Sequence, residues 1–260
     1  MTLLDFTDVV SARGPVAVER GALTMDERTY AASTWRTRMV SEYVSSRVFG
    51  ILSAQALRAG LSHRVVEELA RMCGEEIDHA RRCARVVAAF DEAAVAPLPD
   101  LPPVPMHEDV GPLEGLLRNL LSVSCCSETT AVALVGAEHE VASTPELRSE
   151  LQRILADEVG HARIGWRILD DVSLDDALRD RLGAWMVACF THQLDYHRGS
   201  LAMGSVSDAA LAVGTPDGPA NFALFVATME SVTVPGLEAR GIGAKRAWEL
   251  ALGRQLARVA

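Results

Sequence analysis

The sequence contains no pair of cysteines with the C-x-x-C spacing of a zinc ribbon or a rubredoxin module. Its five cysteines are an odd number, and two of them, Cys125 and Cys126, are adjacent. The chain therefore encodes no small thiolate metal module. We expect its cysteines to be reduced thiols, as is usual in the cytoplasm.

The patterns of a basic run, of a leader and of a membrane-spanning segment are not found in the sequence either. The 25 basic and 35 acidic residues leave a formal net charge of −10, and an acidic surface repels nucleic-acid phosphates and anionic lipids. The first residues lack a basic region followed by an apolar core and a cleavage site, and no uninterrupted apolar run reaches bilayer-spanning length. We therefore expect a soluble cytoplasmic protein that binds neither nucleic acid nor membrane.

Alternation of apolar and polar residues, the pattern of a β-strand, is also scarce. Apolar residues instead recur every three or four positions over long stretches, which is the period of an amphipathic helix. The hydrophobic fraction of 49% supplies a sizeable core for 260 residues. These features predict an all-α protein.

Glycine, proline and capping residues mark the predicted helix ends. After an irregular segment over residues 1–25, helices are expected at about 26–59, 62–91, 112–140, 144–169 and 174–202, with shorter ones at about 220–231 and 243–258. The proline-rich stretch before residue 112 is extended and reaches about 60 Å, against about 45 Å for a thirty-residue helix. We thus expect one domain over 1–260, with two helix hairpins joined by a long crossover (about 26–170) and a helical extension (about 174–260).

Two of the predicted helices carry a Glu followed three positions later by a His. These are Glu76 with His79 and Glu158 with His161. Residues three apart share one face of a helix, so the carboxylate and the imidazole can converge on one ion. Both pairs lie on apolar stripes, where an unpaired carboxylate would cost several kcal/mol.

The inward stripes of the two other long helices contain one acidic residue each, Glu42 and Glu128. The separations of 34 residues from Glu42 to Glu76 and 30 from Glu128 to Glu158 place these pairs at facing positions of antiparallel neighbours. Four carboxylates and two imidazoles suit two divalent cations, iron or manganese rather than structural zinc. Glu76 and Glu158 are expected to bridge the two ions. Glu42 and Glu128 are expected to be terminal ligands, each bound to one ion.

A second acidic residue precedes each of the E-x-x-H pairs. Asp157 comes directly before Glu158, and Glu75 directly before Glu76. Such a carboxylate can accept a hydrogen bond from a metal-binding histidine. We predict this supporting role for both residues.

The order E…ExxH…E…ExxH on four helices resembles that of the ferritin-like di-iron carboxylate proteins. It is matched over about residues 28–170, at Glu42, Glu76, His79, Glu128, Glu158 and His161. The resemblance implies a ferritin-like four-helix bundle with one long crossover, two iron ions and chemistry with O2 or peroxide. The subfamily is not assigned: Ala131 stands where rubrerythrins have a further Glu, and Ile154 where arylamine N-oxygenases have a further His.

The function implied by this resemblance is that of a non-haem di-iron oxidase or oxygenase. With O2 as co-substrate and an external electron donor, it would hydroxylate, N-oxygenate or desaturate a small organic substrate. Residues 200–260, which iron storage does not need, favour this function over rubrerythrin-like or ferritin-like iron handling and peroxide detoxification. Three alternatives stay open. The metal pair is manganese–iron instead of di-iron, the protein is a homodimer, or the metal only stabilises the bundle and there is no activity.

Overall fold

The computed structural model describes residues 2–257; the protein is 74% helical and has one two-stranded sheet among the described residues. The helices are α1 (Thr7–Arg13), α2 (Met25–Arg58), α3 (His63–Ala88), α4 (Pro112–Val141), α5 (Pro145–Asp171), α6 (Asp176–Arg198), α7 (Asp208–Leu211), α8 (Gly218–Glu238) and α9 (Ala244–Ala257). The all-α prediction is confirmed, and α2 to α6 begin and end within a few residues of their predicted bounds. The predicted end of the last helix at residue 258 lies outside the described residues.

The chain forms two compact units. Unit 1 comprises residues 1–105, 135–157 and 206–216, and unit 2 comprises 106–134, 158–205 and 217–260. Helices α4 and α5 each contribute residues to both units. The single domain expected over 1–260 stays a prediction.

In unit 1, α2 and α3 form the predicted antiparallel hairpin. A capping box begins α2, because the backbone N–H of Glu27 donates to Thr24 Oγ1 (3.2 Å) and that of Thr24 donates to Glu27 Oε2 (2.8 Å). Gly60 reverses the chain with a positive φ of 72°, which costs glycine little. This tight turn packs α3 along α2 over most of its length.

The core of unit 1 joins segments of four long helices. Its buried members include Trp35 and Met39 of α2, Ala80 and Cys83 of α3, Val135 of α4, and Leu151 and Ile154 of α5. These are the apolar stripes on which the candidate ligands were placed. The inward direction predicted for the stripes is therefore confirmed in unit 1.

Residues 1–25 are not irregular throughout, so that prediction is wrong in part. The strand β1 (Leu3–Asp5) pairs antiparallel with β2 (Val95–Pro97) of the proline-rich crossover, and α1 follows it. Three-residue strands are too short to show an alternating pattern. The buried side chains of Leu4 and Phe6 anchor the segment in the core.

Unit 2 contains an irregularity that the periodicity did not predict. Within α4, residues Leu121–Glu128 form a π-helical segment, with an α-helix on either side. A second π segment, Met229–Thr233, interrupts α8. Helix α6 packs on α9, and the two backbones come so close at Gly183 that an added Cβ would lie 3.1 Å from the nitrogen of Gly243.

Two helices, Pro112–Val141 and Gly218–Glu238, are long and apolar enough to cross a membrane by length and composition. Their apolar runs are interrupted by Glu128 and Glu230, and half of the first window and a third of the second are buried inside the protein. Core helices of soluble proteins pass the same test. The finding is consistent with a soluble protein, and the cytoplasmic location stays a prediction.

Candidate metal centre

The α2–α3 hairpin places three of the predicted ligands side by side. Glu76 and His79 are buried, with 2% and 0% of their surface exposed, and the Glu42 side chain is 16% exposed. His79 Nδ1 lies 3.5 Å from Glu42 Oε2. On the other side of the ring, His79 Nε2 lies 3.2 Å from Asp157 Oδ2. Both nitrogens of this imidazole thus face a carboxylate.

The other three predicted ligands lie on α4 and α5. Glu128, Glu158 and His161 are 7%, 3% and 0% exposed, and His161 Nδ1 lies 3.4 Å from Glu158 Oε2. Glu128 is the last residue of the π segment. Two side chains, one in that segment and one directly after it, bond to carbonyls five residues back: Ser127 Oγ donates to Ser122 O, and Thr129 Oγ1 to Ser124 O. The backbone is wider here than in an α-helix.

The six residues form two overlapping groups of four. In each group, one ligand atom from every member lies within 4.8 Å of those of the other members. The first group is Glu42, Glu76, His79 and Glu158, and the second is Glu76, Glu128, Glu158 and His161. Glu76 and Glu158 belong to both groups, and these are the two residues predicted to bridge.

The chemistry of this donor set fits two divalent cations. Buried carboxylates at such short distances repel one another unless positive charge or protons lie among them. Four carboxylates and two imidazoles offer hard oxygen donors with one nitrogen per group, which suits iron or manganese. Among the described residues, no cysteine belongs to either group. The cluster is compatible with a di-iron site.

The two predicted supporting carboxylates have different surroundings. Asp157 makes the contact with a ligand histidine that was expected of it, at 3.2 Å from His79 Nε2. Glu75 forms an ion pair with Arg71, one turn earlier on α3. That Asp157 and Glu75 support metal binding stays a prediction, as does metal binding by the six residues themselves.

Arg38 and Glu138 form a pair near the site that the sequence did not reveal. Arg38 lies one turn before Glu42, and its two Nη atoms donate to the two Glu138 oxygens at 2.7 and 2.6 Å. Burial lowers the pKa of Arg38, but the Glu138 carboxylate outweighs it and the pKa is raised overall. Burial, followed by the Glu42 charge, raises the pKa of the nearby Cys83 thiol. The one signal in the sequence that could have found this pair is the position of Arg38, one turn before Glu42.

Comparison with protein-family models, curated proteins and solved structures finds no match to this chain. The likeness to ferritin-like proteins therefore rests on the spacing of the six residues and on the two groups that they form.

Proposed function

We propose that the protein is a ferritin-like, non-haem di-iron oxidoreductase that uses O2 to oxidise a small organic substrate. The observation that carries the proposal is the pair of overlapping four-residue groups with Glu76 and Glu158 in common. Two ions that share two carboxylates lie close enough to act together on one small molecule.

Each residue of the cluster has a distinct role in this proposal. Glu76 and Glu158 would be shared by the two ions, Glu42 and Glu128 would bind one ion each, and His79 and His161 would supply one nitrogen to each ion. When bound, the metal pair supplies redox and Lewis-acid chemistry toward O2. In this arrangement the protonated Nε2 of His79 donates a hydrogen bond to the Asp157 carboxylate, which leaves the lone pair of Nδ1 on the side of Glu42.

The segment after α5 favours an oxidase or oxygenase over iron storage. Helices α6, α8 and α9 build an apolar cluster of their own, with Phe190 and Phe225 both in edge contact with Trp248. A protein that only stores iron does not need such an extension. We propose that this part of unit 2 serves the recognition of the small-molecule substrate, and that an external donor supplies the electrons.

Metal stoichiometry tests the proposal. Metal-free protein is loaded with Fe(II) without oxygen, freed of excess metal, and analysed for iron per chain and for O2 uptake. We expect about two ions in the wild type, about one in Glu42→Gln or Glu128→Gln, and fewer than one in Glu76→Gln, because Glu76 belongs to both groups. Glu67→Gln, an exposed residue of the same helix as Glu76, is the matched control.

Other results of this experiment would contradict the proposal or indicate a different function. No bound iron, or equal iron in Glu76→Gln and the control, contradicts the proposal. Many ions per chain in a hollow multimer, seen by light scattering, would identify an iron-storage protein instead. Rapid turnover of added peroxide with no O2 uptake would identify a detoxifying one.

A further inference from the structure

Three of the five cysteines are buried together in unit 2. Cys125 and Cys126 lie in the π segment of α4 with none of their surface exposed, and Cys189 of α6 is 5% exposed. Cys73, in contrast, is only partly buried. All five are thiols in the structure.

The thiols of Cys126 and Cys189 are in direct contact, since a hydrogen bond joins their sulfur atoms. One turn away, Gln193 Nε2 donates to Ser122 O at 3.2 Å and to Ser127 Oγ at 3.0 Å. Cys189 and Gln193 are four apart on α6, and Cys126 and Ser122 are four apart on α4. The two segments therefore run antiparallel with Cys126 opposite Cys189, and the Gln193 contacts hold them in this register.

The thiol cluster lies beside two of the candidate ligands. Cys126 is two residues before Glu128 in the same π segment. Cys125 lies where α5 passes close to α4, because a Cβ added to Gly165 would be 3.0 Å from its sulfur. Gly165 is one turn after His161 on α5.

Burial shields these sulfurs from solvent, since Cys125 and Cys126 have none of their surface exposed and Cys189 only 5%. Soluble oxidants therefore react with them slowly. An electron acceptor inside the protein has no such barrier of access.

We propose that Cys126 and Cys189 are a built-in two-electron donor to the candidate metal centre, oxidised from two thiols to one disulfide when O2 is reduced there. This inference rests on the proposed function. In a hydroxylation, O2, one substrate C–H bond and the two thiols give one C–O–H group, one water and one disulfide. The two S–H protons go to the water, and the two electrons released on forming the S–S bond complete the reduction of O2. An external dithiol then supplies the two electrons and two protons that restore both thiols, when local opening of the helices admits it.

Peptide mapping after a single exposure to O2 tests the inference without a substrate. Two Fe(II) ions and the dithiol together hold the four electrons that reduce one O2 to two waters. Protein loaded with Fe(II) is exposed to O2, quenched in acid, alkylated and digested. We expect the count of free thiols to fall from five to three and a Cys126–Cys189 linked peptide to appear.

Variants and a metal-free sample are the controls. Cys73→Ala should still lose two thiols, whereas Cys126→Ala and Cys189→Ala should keep all four that remain. Metal-free wild type under the same O2 should keep five, because the acceptor is then missing. The wild-type peptide map decides the question even where a cysteine variant folds poorly.

Each other outcome overturns the inference. Oxidised iron with all five thiols intact rules out the donor role and leaves the proposed function standing. A linked peptide that forms equally without metal, or that involves Cys125 or Cys73, also rules it out. No bound iron removes the inference together with the proposed function.

Discussion

His79 is the most constrained side chain of the candidate site. It is fully buried, and its two ring nitrogens face Glu42 at 3.5 Å and Asp157 at 3.2 Å. A neutral imidazole has one donor and one acceptor nitrogen, so a hydrogen bond at Nε2 determines what Nδ1 can do. The Asp157 side chain is 35% exposed, and it therefore connects the buried ring with solvent.

Replacement of Asp157 by Asn tests this coupling. The neutral amide no longer selects the tautomer with a proton on Nε2, and we expect Fe(II) or Mn(II) affinity to fall by about 10- to 100-fold. Anaerobic competition with a chromophoric chelator measures the change. Asp171→Asn, an exposed residue at the end of the same helix, is the control. Equal affinities in the two variants would show that Asp157 does not support metal binding.

At the scale of elements, α4 and α5 pass close to each other at Gly165. An added Cβ there would lie 2.6 Å from Ser124 Cβ and 3.0 Å from Cys125 Sγ. This approach is one turn from both Glu128 and His161. The two helices can therefore lie this close together near the candidate ligands only because residue 165 is a glycine, which has no side chain.

The variants Gly165→Ala and Gly160→Ala should have opposite effects on stability. In a helix Ala is favoured over Gly by about 1 kcal/mol, and nothing lies within 4 Å of a Cβ at Gly160. At Gly165 the clash outweighs that gain, and we expect a net loss of about 1–3 kcal/mol in the free energy of unfolding. Urea unfolding of the metal-free proteins measures both. A stabilised Gly165→Ala protein would show that the two helices separate at little cost.

Elements with a long apolar pattern were predicted well from the sequence, and elements with a short pattern were not. The long stripes of α2, α3 and α5 fixed their bounds and inward faces, and with them Glu76, His79 and Glu158. The π segment, in contrast, leaves no mark in a 3.6-residue pattern, because its wider turn shows only in the backbone. The pairing of β1 with β2 joins residues 90 to 94 positions apart, and short strands carry too little pattern to reveal it.

For the whole molecule, the candidate site concentrates negative charge in a protein that is already acidic. The formal net charge is −10, and four carboxylates of the cluster are largely or fully buried. The metal-free protein bears the cost of their mutual repulsion, and cations that bind only the folded state relieve it. The stability of the fold and the loading of the site are thus linked through one set of residues.

The pH dependence of unfolding provides a separate test, through His197. Its ring stacks on Phe225 with centroids 4.1 Å apart, and burial lowers the pKa of His197 from 6.5 to about 4. Between these values the unfolded chain binds a proton that the folded protein does not, so stability is full above pH 6.5 and falls as the pH approaches 4. The loss is at most about 3 kcal/mol, since the ring is partly exposed.

His197→Phe keeps an aromatic ring against Phe225 and removes the titration. Urea unfolding of this variant and the wild type from pH 4 to pH 8 gives the difference in unfolding free energy at each pH. Above pH 7 the difference reports packing alone, because the wild-type ring is neutral in both states. We expect it to shift in favour of the variant as the pH falls below 6.5. A difference that stays constant from pH 8 to pH 4 would show that the folded protein accepts the proton on His197 without cost, and that burial of this ring plays no part in acid unfolding.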